Sequence, residues 1–372
     1  MNSLCVLRAL RASVRGLRIM DDKTAAQAEM LANRLKKRFR HLHKWARRSN
    51  IEAFRLYDCD IPEIPLVLDL YGDIVSGALY KRPYEKDEAE EERWLQAMGD
   101  AAARSLSLER DNIIIKRRER QRGQAHNTRA HKRPQYEKIA DRGLTREVRE
   151  GKLKFKVNLS DYLDTGLFLD RRAMRRMIGD DSNGKRVLNL FCYTASFSVH
   201  AADGGATSVD SVDLSNTYLA WAQENFALNG FNAEICNTES NTKCNTKHRL
   251  IRADVAVFLR ASAAARQRWD SIIVDPPAFS NSTMTRADFD LRRDYANLLG
   301  DCLSLLANGG KLWFSASARS FKANAAELAA VLKESFPGIT VTDIGDAIID
   351  EDFKGKKIPR AFVLEFATPV TG

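Results

Sequence analysis

The first clear pattern along the chain is helical, because apolar residues recur at three- and four-residue spacing from Asp22 to about Ser49. Leu31, Leu35 and Leu42 fall on one face of the predicted helix, and lysines and arginines fall on the opposite face. The pattern therefore predicts an amphipathic helix with a basic outer face that packs on the segment after it.

Short β-rich runs follow this helix and predict a small α+β accessory domain. Strands are predicted at Leu66 to Leu70 and Ile74 to Leu79, with the turn signal Tyr71-Gly72-Asp73 between them. A helix from about Lys86 to Leu106 and a strand from Asn112 to Lys116 complete a β-β-α-β order.

From Val187 onward, strands alternate with helices, and this alternation predicts an α/β fold with a doubly wound parallel sheet. The predicted strands are Val187 to Phe191, Ser208 to Asp213, Arg249 to Ala253, Ser271 to Asp275 and Lys311 to Ser315, and the helices between them are Ser196 to Ala202, Thr217 to Asn229 and Phe289 to Leu306. We therefore expect three parts: a basic helical extension or linker (1–50), the α+β accessory domain (51–150) and the doubly wound domain (151–372).

Charge adds a class of partner to this picture. Lysine and arginine total 59 against 49 acidic residues, and the net charge of +10 favours polyanions. Basic residues crowd the segment 116–133, which also contains glycine and asparagine and precedes Tyr136. Such a loop suits phosphate contacts and base stacking, so RNA binding is predicted there. The predicted RNA-binding residues are Lys116, Arg117, Arg118, Arg120 and Arg122.

Two classes of protein fit the composition poorly. No apolar run approaches the roughly 20 residues that a membrane-spanning helix needs, so no membrane span is expected. The six cysteines show no spacing typical of metal ligands, so no metal is predicted.

Candidate chemistry lies at the carboxyl ends of the predicted strands, where doubly wound sheets bind ligands. The first such turn lacks the glycine-rich signature of dinucleotide sites, which S-adenosylmethionine, having no pyrophosphate, does not require. Asp213 suits the hydroxyls of a ribose, and Asp254 suits an adenine amino group while Val255 packs on the ring. Each acid could instead cap a helix, and Ser215 competes with Asp213 for that role.

The most specific signal follows the fourth strand, where the chain reads Asp275-Pro-Pro-Ala-Phe-Ser280. Two prolines stiffen this loop and fix the directions of its carbonyl groups. Such a platform suits a planar base, with Phe279 as a stacking surface. The predicted catalytic residues are Asp275, Pro276, Pro277 and Phe279.

With these residues in place, the chain resembles the RlmK-type domain of the ribosomal RNA large-subunit methyltransferases. The resemblance rests on long strings in order, among them Tyr57-Asp-Cys-Asp-Ile-Pro-Glu63, Lys116-Arg-Arg-Glu-Arg-Gln-Arg-Gly123, Asn158-Leu-Ser-Asp-Tyr-Leu-Asp-Thr-Gly-Leu-Phe-Leu-Asp170, Asn189-Leu-Phe191, Val212-Asp-Leu-Ser215 and Asp275-Pro-Pro-Ala-Phe-Ser-Asn-Ser282. It implies a class I (Rossmann-like) methyltransferase fold, S-adenosylmethionine as cofactor, and the N7 position of a guanine in helix 74 of 23S rRNA as target.

The resemblance also implies a set of site residues. Cofactor contacts are expected from Asn189, Phe191, Tyr193, Thr194, Ala195, Ser196, Asp213, Leu214, Asp254, Val255 and Asp275. Ala195 stands where the family usually has glycine. The segment from Asp164 to Arg171 resembles a lid at the cofactor edge, and Arg171 is expected to contact RNA phosphate. The expected substrate is 23S rRNA or a pre-50S particle in the cytoplasm, and a guanine-N2 methyltransferase half would have to come from a separate partner or a longer chain.

Three alternatives compete with guanine-N7 methylation. Cytosine C5 methylation needs a cysteine nucleophile, but the Asp275 loop and the segment 313–318 have none, while Cys192 and Cys302 lie elsewhere. Methylation of an exocyclic amine, guanine N2 or adenine N6, would use a similar proline loop and stays open. A non-catalytic RNA-binding assembly factor also stays open.

Overall fold

The computed structural model describes residues 21–80, 87–118, 140–237, 246–280, 288–318 and 321–366. The chain divides into two compact units, one of residues 1–44 with 55–126 and one of residues 45–54 with 127–372. The three-part division at residues 50 and 150 stays a prediction. Within the described part of the chain, every helix is too short or too polar to cross a lipid bilayer.

The first unit contains a four-stranded sheet. Its elements are α1 (Asp22–Arg48), whose last turn falls in the second unit, β1 (Ala53–Asp58), whose first two residues do the same, β2 (Leu66–Tyr71), β3 (Ile74–Tyr80), α2 (Glu88–Leu106) and β4 (Ile113–Arg118), and the strand order is β1-β2-β3-β4. β2 and β3 form an antiparallel hairpin, whereas β4 lies parallel to β3 after the α2 crossover. The predicted helices and the hairpin are confirmed, and β1 is an element that the pattern did not predict.

Three features explain this local structure. Leu31, Leu35 and Leu42 of α1 are fully buried, as their helical spacing predicts. Gly72 turns the hairpin with a φ of +64°, a conformation that costs glycine little. The indole nitrogen of Trp94 in α2 donates to Gln27 in α1 at 2.6 Å, so the buried tryptophan keeps a hydrogen bond.

The second unit alternates strands and helices over most of its length. Its described elements are β5 (Thr145–Glu150), β6 (Leu153–Asn158), α3 (Arg172–Asp180), β7 (Arg186–Leu190), α4 (Ser196–Asp203), β8 (Ser208–Asp213), α5 (Asn216–Leu228), β9 (Ala233–Asn237), β10 (His248–Arg252), α6 (Val255–Ala264), β11 (Trp269–Val274), β12 (Phe279–Ser280), β13 (Phe289–Asp290), α7 (Leu291–Leu303), β14 (Leu306–Ala316), α8 (Ala325–Leu332), β15 (Ile339–Asp343) and β16 (Arg360–Phe366). The predicted α/β alternation is confirmed.

The large sheet has the order β15-β16-β14-β11-β7-β8-β10-β9. Its six strands from β14 to β9 are parallel, and β15 and β16 are added antiparallel at one edge. The chain reverses its direction of winding between β7 and β11, so the crevice for a ligand is expected at their carboxyl ends. The doubly wound sheet was therefore predicted correctly, whereas β9, β15 and β16 were not predicted.

One predicted helix was wrong at both ends. The helix expected from Phe289 to Leu306 is shorter, because Phe289 pairs in β13 and Leu306 begins β14. Asp290 fixes the true start, since its carboxylate accepts a hydrogen bond from the backbone N–H of Arg292. A helix-capping aspartate inside an apolar-periodic run was the signal that could have placed this boundary.

Buried ion pairs fasten α3 to its surroundings in the second unit. Arg175, fully buried, makes a two-pronged ion pair with Glu150 of β5, with Nε 2.8 Å from Oε1. His200 Nε2 lies 2.9 Å from the same carboxylate. Burial alone would raise the pKa of Glu150, but Arg175 and His200 outweigh it and hold that pKa well below its ordinary value.

Arg172, the neighbour of this pair on α3, makes its hydrogen bonds through both terminal nitrogens of its guanidinium. Nη1 lies 2.9 Å from Asp352 and 3.2 Å from Asp350, and Nη2 donates to the carbonyl of Ala53 at 2.6 Å. The group also lies over the Trp45 ring, 5.4 Å from its centroid. Both arginines are thus compensated by several partners, as burial of a charge requires.

This geometry predicts that substitutions of two arginines of α3 lower the free energy of unfolding by very different amounts. Arg175→Met leaves the Glu150 carboxylate buried without its bidentate partner, and we expect a loss of about 3–5 kcal/mol in the free energy of unfolding. Arg176→Met is the matched control, because the Arg176 side chain is 47% exposed and its partner Asp350 keeps Arg172 as a second partner at 3.2 Å; its loss should stay under about 1 kcal/mol. Urea unfolding at pH 7 measures both, and equal losses would contradict the assignment.

Candidate functional site

The predicted site residues converge because four parallel strands end at one edge of the sheet. β7, β8, β10 and β11 lead into the turn 191–195, Asp213, Asp254 and Asp275 respectively. The reversal of winding lies between the first and last of these strands, so their ends flank the crevice.

The turn after β7 is built from left-handed residues that are not glycine. Phe191, Tyr193 and Ala195 have φ values of +56°, +52° and +59°. A side chain in this conformation costs about 1–2 kcal/mol per residue, so neighbouring contacts must hold the turn. The Thr194 hydroxyl donates to the Gly166 carbonyl at 2.6 Å, and the Asn225 amide donates to the Thr194 carbonyl at 2.9 Å.

Polar contacts beneath the turn tie it to the sheet. The Asn189 amide nitrogen donates to the Ser198 hydroxyl at 2.8 Å, and the Ser211 hydroxyl donates to the same oxygen at 2.8 Å. Asn189 is only 1% exposed, and within the described residues its Oδ1 atom has no hydrogen-bond partner. Asn189 therefore supports the turn from inside the fold.

Asp213 faces the turn from the end of β8. Its Oδ2 atom accepts from the Tyr193 N–H at 2.9 Å, and its Oδ1 atom accepts from the Ser215 N–H at 2.9 Å. Ser215 caps α5 by accepting from the Tyr218 N–H, so the cap role falls to Ser215 and leaves Asp213 to the crevice. Burial raises the pKa of Asp213 to about 6, although hydrogen bonds from Ser215, Tyr193 and Leu214 partly oppose that shift.

Asp254 and Val255 follow β10 at the start of α6. The Asp254 carboxylate accepts from the Val257 N–H at 3.0 Å and caps the helix, the alternative role that the sequence left open. Val255 is buried in the hydrophobic core with Leu190 and Val212. Adenine recognition by Asp254 stays a prediction.

Asp275 is held by a residue that was expected to act elsewhere. Arg171 Nε and Nη2 each lie 3.0 Å from one Asp275 oxygen, and Nη2 also donates to the Ser317 hydroxyl. The Arg171 side chain is 3% exposed. Burial would lower the Arg171 pKa, but Asp275 and Asp170 outweigh it and raise that pKa. The predicted phosphate contact is therefore corrected: a buried, paired guanidinium positions Asp275 instead.

The loop after Asp275 presents one large apolar surface to solvent. Pro276 is buried and Pro277 half-buried, whereas the Phe279 side chain is 46% exposed. Phe279 pairs with Asp290 across the short β12–β13 ladder, which fixes its backbone. An exposed ring on a fixed backbone is suited to stacking on a planar ligand.

A second exposed aromatic was missed by the sequence reasoning. Phe168 is 41% exposed, and its ring centroid lies 5.2 Å from that of Tyr193. Gly166, two residues earlier, has a φ of +95°, and a Cβ atom there would lie 2.2 Å from the Trp221 ring. The resemblance had marked this segment as a lid, but the aromatic partner of Tyr193 is visible only in the structure.

Solvent exposure sorts the predicted cofactor contacts into two groups. Asn189, Thr194 and Ala195 are buried at 1% exposure or less, so their side chains shape the turn. The half-buried residues that could contact a cofactor directly are Phe191, Tyr193, Ser196, Asp213, Leu214, Asp254 and Asp275. The acids among them can accept hydrogen bonds from hydroxyl or amino groups, and the aromatic rings offer flat apolar surface.

The predicted RNA-binding residues of the first unit are only partly described. Lys116 and Arg117 lie in β4, where the Arg117 guanidinium pairs with Glu92 at 3.0 Å and with Glu88 at 3.4 Å. Phosphate would compete there with carboxylates, and RNA contact by these residues stays a prediction. The Arg118 side chain, Arg120 and Arg122 lie outside the described residues.

Comparison with known proteins gives a family for this architecture. Residues 60–322 match the family model of the S-adenosylmethionine-dependent methyltransferases. Ribosomal RNA large subunit methyltransferase K of Neisseria meningitidis serogroup B is 42% identical over 89% of this chain and 85% of that protein. Ribosomal RNA large subunit methyltransferase K/L of Stutzerimonas stutzeri is 44% identical over 91% of this chain but only 42% of that protein.

Solved structures agree on the fold. A crystal structure of a methyltransferase complexed with SAH superposes with a TM-score of 0.66 and 22% sequence identity, over 91% of this chain and 81% of that one. A SAM-dependent methyltransferase from Streptococcus mutans gives a TM-score of 0.65 at the same identity and the same coverage.

The raised pKa of Asp213 predicts a pH-dependent affinity for S-adenosylhomocysteine. The ribose contact predicted for Asp213 requires the charged carboxylate as acceptor, so the affinity should be full well above pH 6 and fall as Asp213 gains its proton near its pKa of about 6. Well below that pKa, the affinity should fall by at most about tenfold for each pH unit. Calorimetric titration from pH 5 to 8 measures this dependence.

Two variants make the pH test specific. Asp213→Asn should bind weakly at every pH, whereas Asp254→Asn should keep the pH dependence of the wild type. A pH dependence that survives Asp213→Asn would show that another group is responsible.

Proposed function

The chain belongs to the S-adenosylmethionine-dependent methyltransferase family, among relatives named ribosomal RNA large subunit methyltransferase K, and on this premise we propose that it methylates N7 of a guanine in helix 74 of 23S rRNA. The coarser part of the proposal, methylation of large-subunit rRNA, is supported by the named relatives. The substrate is free 23S rRNA or a pre-50S particle in the cytoplasm. The K/L relative from Stutzerimonas stutzeri is matched over only 42% of its length, and the proposal concerns the matched part alone.

The base-binding loop carries the proposal. Asp275 is held by Arg171 at the end of β11, and the exposed Phe279 ring follows two prolines in the same loop. A carboxylate oxygen offers about two lone pairs, so each Asp275 oxygen can accept from Arg171 and also from a base edge. The guanine N1–H and the amino group of the same base are two neighbouring donors, which match the two acceptor oxygens of Asp275.

The residues fit a reaction that needs no nucleophile from the protein. Cys192 and Cys302 are buried, and burial raises the pKa of both thiols, so neither supplies the thiolate that cytosine C5 methylation requires. Guanine N7 has an exposed lone pair and needs no general base. When bound, S-adenosylmethionine supplies an electrophilic methyl group to that atom.

The chain's own residues act by positioning and electrostatics. Phe279 provides a stacking face, while Asp275 accepts hydrogen bonds from the opposite edge of the base, so N7 is directed away from the carboxylate. The guanine ring gains positive charge as N7 is methylated, and the nearby Asp275 carboxylate favours that charge. The target base must leave its stack to reach the loop.

Methylation of a guanine or adenine amino group is the second candidate, because a proline loop that presents carbonyls and a carboxylate suits an amino group as well. These chemistries differ in product. Nucleoside analysis therefore separates them from N7 methylation, and also from a non-catalytic role.

The proposal predicts 7-methylguanine in one assay. Unmodified large-subunit rRNA and labelled S-adenosylmethionine are incubated with wild type or Asp213→Ala, and the nucleosides are identified by mass spectrometry. We expect 7-methylguanine with wild type and at least a tenfold loss with the variant, since one or two hydrogen bonds of about 1.4 kcal/mol would be lost. Another methylated nucleoside would overturn the base assignment, and cofactor binding without transfer would favour the non-catalytic role.

Arg171 is predicted to act through Asp275. Arg171→Lys keeps the charge but loses the two-pronged grip, and we expect kcat to fall by about 10- to 100-fold with a much smaller change in SAH affinity. Ser317→Ala removes only the hydrogen bond between Arg171 and Ser317, and kcat should fall by less than about tenfold. Single-turnover methyl transfer and SAH titration measure the two effects. Equal loss of SAH binding and turnover in Arg171→Lys would indicate a merely structural role.

A further inference from the structure

The outer face of α1 carries an uninterrupted group of positive charges. Lys36, Lys37, Arg40 and Lys44 are all exposed, while Leu35 and Leu42 on the opposite face are fully buried. We call these four basic side chains the α1 stripe. The helix continues beyond them with Arg47 and Arg48 in its last turn.

Two neighbouring arginines of the same helix have partners within the protein, and the stripe side chains differ from them in this respect. Arg34 pairs with Asp60 at 2.6 Å, and Arg38 donates to the Leu56 carbonyl at 3.4 Å. Across the described residues, no carboxylate lies within ion-pair distance of any stripe side chain. The sequence itself has no acid between Glu29 and Glu52.

Concentration of like charge has a cost in the free protein. Lys36, Arg40 and Lys44 follow one another at i, i+4 spacing, where like charges destabilise a helix by about 0.2–0.5 kcal/mol per pair. The helix dipole favours cations only near the last turn, which begins after the stripe. A polyanion bound to the stripe would remove this repulsion.

Two features of α1 select the kind of polyanion. The apolar face of α1 is buried in the core, so the helix cannot lay that face into a lipid surface as membrane-binding helices do. The stripe also lacks an exposed phenylalanine, tyrosine or tryptophan, the rings on which single strands stack. A rigid line of cations about 12 Å long suits the regular phosphates of a double helix.

We propose that the α1 stripe binds the phosphate backbone of double-helical RNA. The identification of the polyanion as RNA rests on the proposed function, whereas the stripe itself rests on exposure and charge. The contact carries no sequence preference and adds affinity for the RNA.

The test compares two sets of four substitutions in the full chain. The stripe variant is Lys36→Gln, Lys37→Gln, Arg40→Gln and Lys44→Gln, and glutamine keeps a similar helix propensity. The matched control removes four exposed charges elsewhere through Arg93→Gln, Arg104→Gln, Arg260→Gln and Lys333→Gln. The probe is an RNA duplex of about 20 base pairs, chosen to span more than one turn of double helix, with an unrelated sequence. Its binding is followed by fluorescence anisotropy from about 50 to 200 mM salt.

We expect the stripe variant to bind the duplex more weakly at every salt concentration. Its slope of log K against log salt should become shallower by up to about 3.6, since each of the four lost phosphate contacts removes about 0.9. The control should keep the wild-type slope within about one unit. SAH affinity should be unchanged in both variants, and the melting temperature should fall in neither, which excludes a folding defect. In the stripe variant the melting temperature should rise slightly, because the like-charge repulsion along α1 is removed.

Three results would overturn the inference: equal weakening in both variants, an unchanged slope in the stripe variant, or stripe-dependent binding of anionic vesicles in place of duplex RNA. The proposed function fails separately, if wild type forms no 7-methylguanine in the rRNA assay. Methylation with an unaltered KM in the stripe variant would leave the proposed function standing and the stripe without a role.

Discussion

The buried pairing of arginines with carboxylates is the interaction on which the second unit depends. Arg171 holds Asp275 at the end of β11, and Arg175, four residues later, holds Glu150 of β5. A buried charge without a partner is among the most costly defects that a fold can contain. The same short segment therefore fixes a carboxylate of the site and joins α3 to the β5–β6 hairpin.

The turn after β7 depends on a second set of contacts. Its three left-handed residues would relax if the turn were isolated, and they keep their conformation because Asp213, Gly166 and Asn225 bind the backbone or side chains on either side. A glycine-based turn would need fewer such contacts. The absence of the glycine signature is thus a change in how the turn is stabilised, with the same place for a cofactor.

Local patterns predicted the elements whose signals are local. Apolar spacing predicted α1, and alternation of strands and helices predicted the parallel sheet and the strand ends at which Asp213, Asp254 and Asp275 lie. β15 was missed although Ile339–Asp343 alternates apolar and polar β-branched residues, a pattern typical of a strand. The role of Arg171 could not be predicted, because its partner is 104 positions away and a run of arginines is more often exposed.

The contacts of Phe168 and Ser317 could not be predicted from the sequence for the same reason. Each contact becomes recognisable only after the tertiary fold has brought the segment 164–171 and the end of β14 beside the crevice. The carboxylates were easier to find, because the end of a strand is marked in the sequence and all parallel strands end at one edge.

The spacing of the α3 arginines makes this part of the site sensitive to chain length more than to composition. One inserted residue between Arg171 and Arg175 would rotate the rest of the helix by about 100°, and the Glu150 carboxylate would then face a different side chain. Grafting the Asp275 loop into another scaffold would consequently require the β5–β6 hairpin and the full Arg171–Arg175 segment as one piece. The transferable unit of this site is a set of paired charges, and the Asp275 loop is only its outermost part.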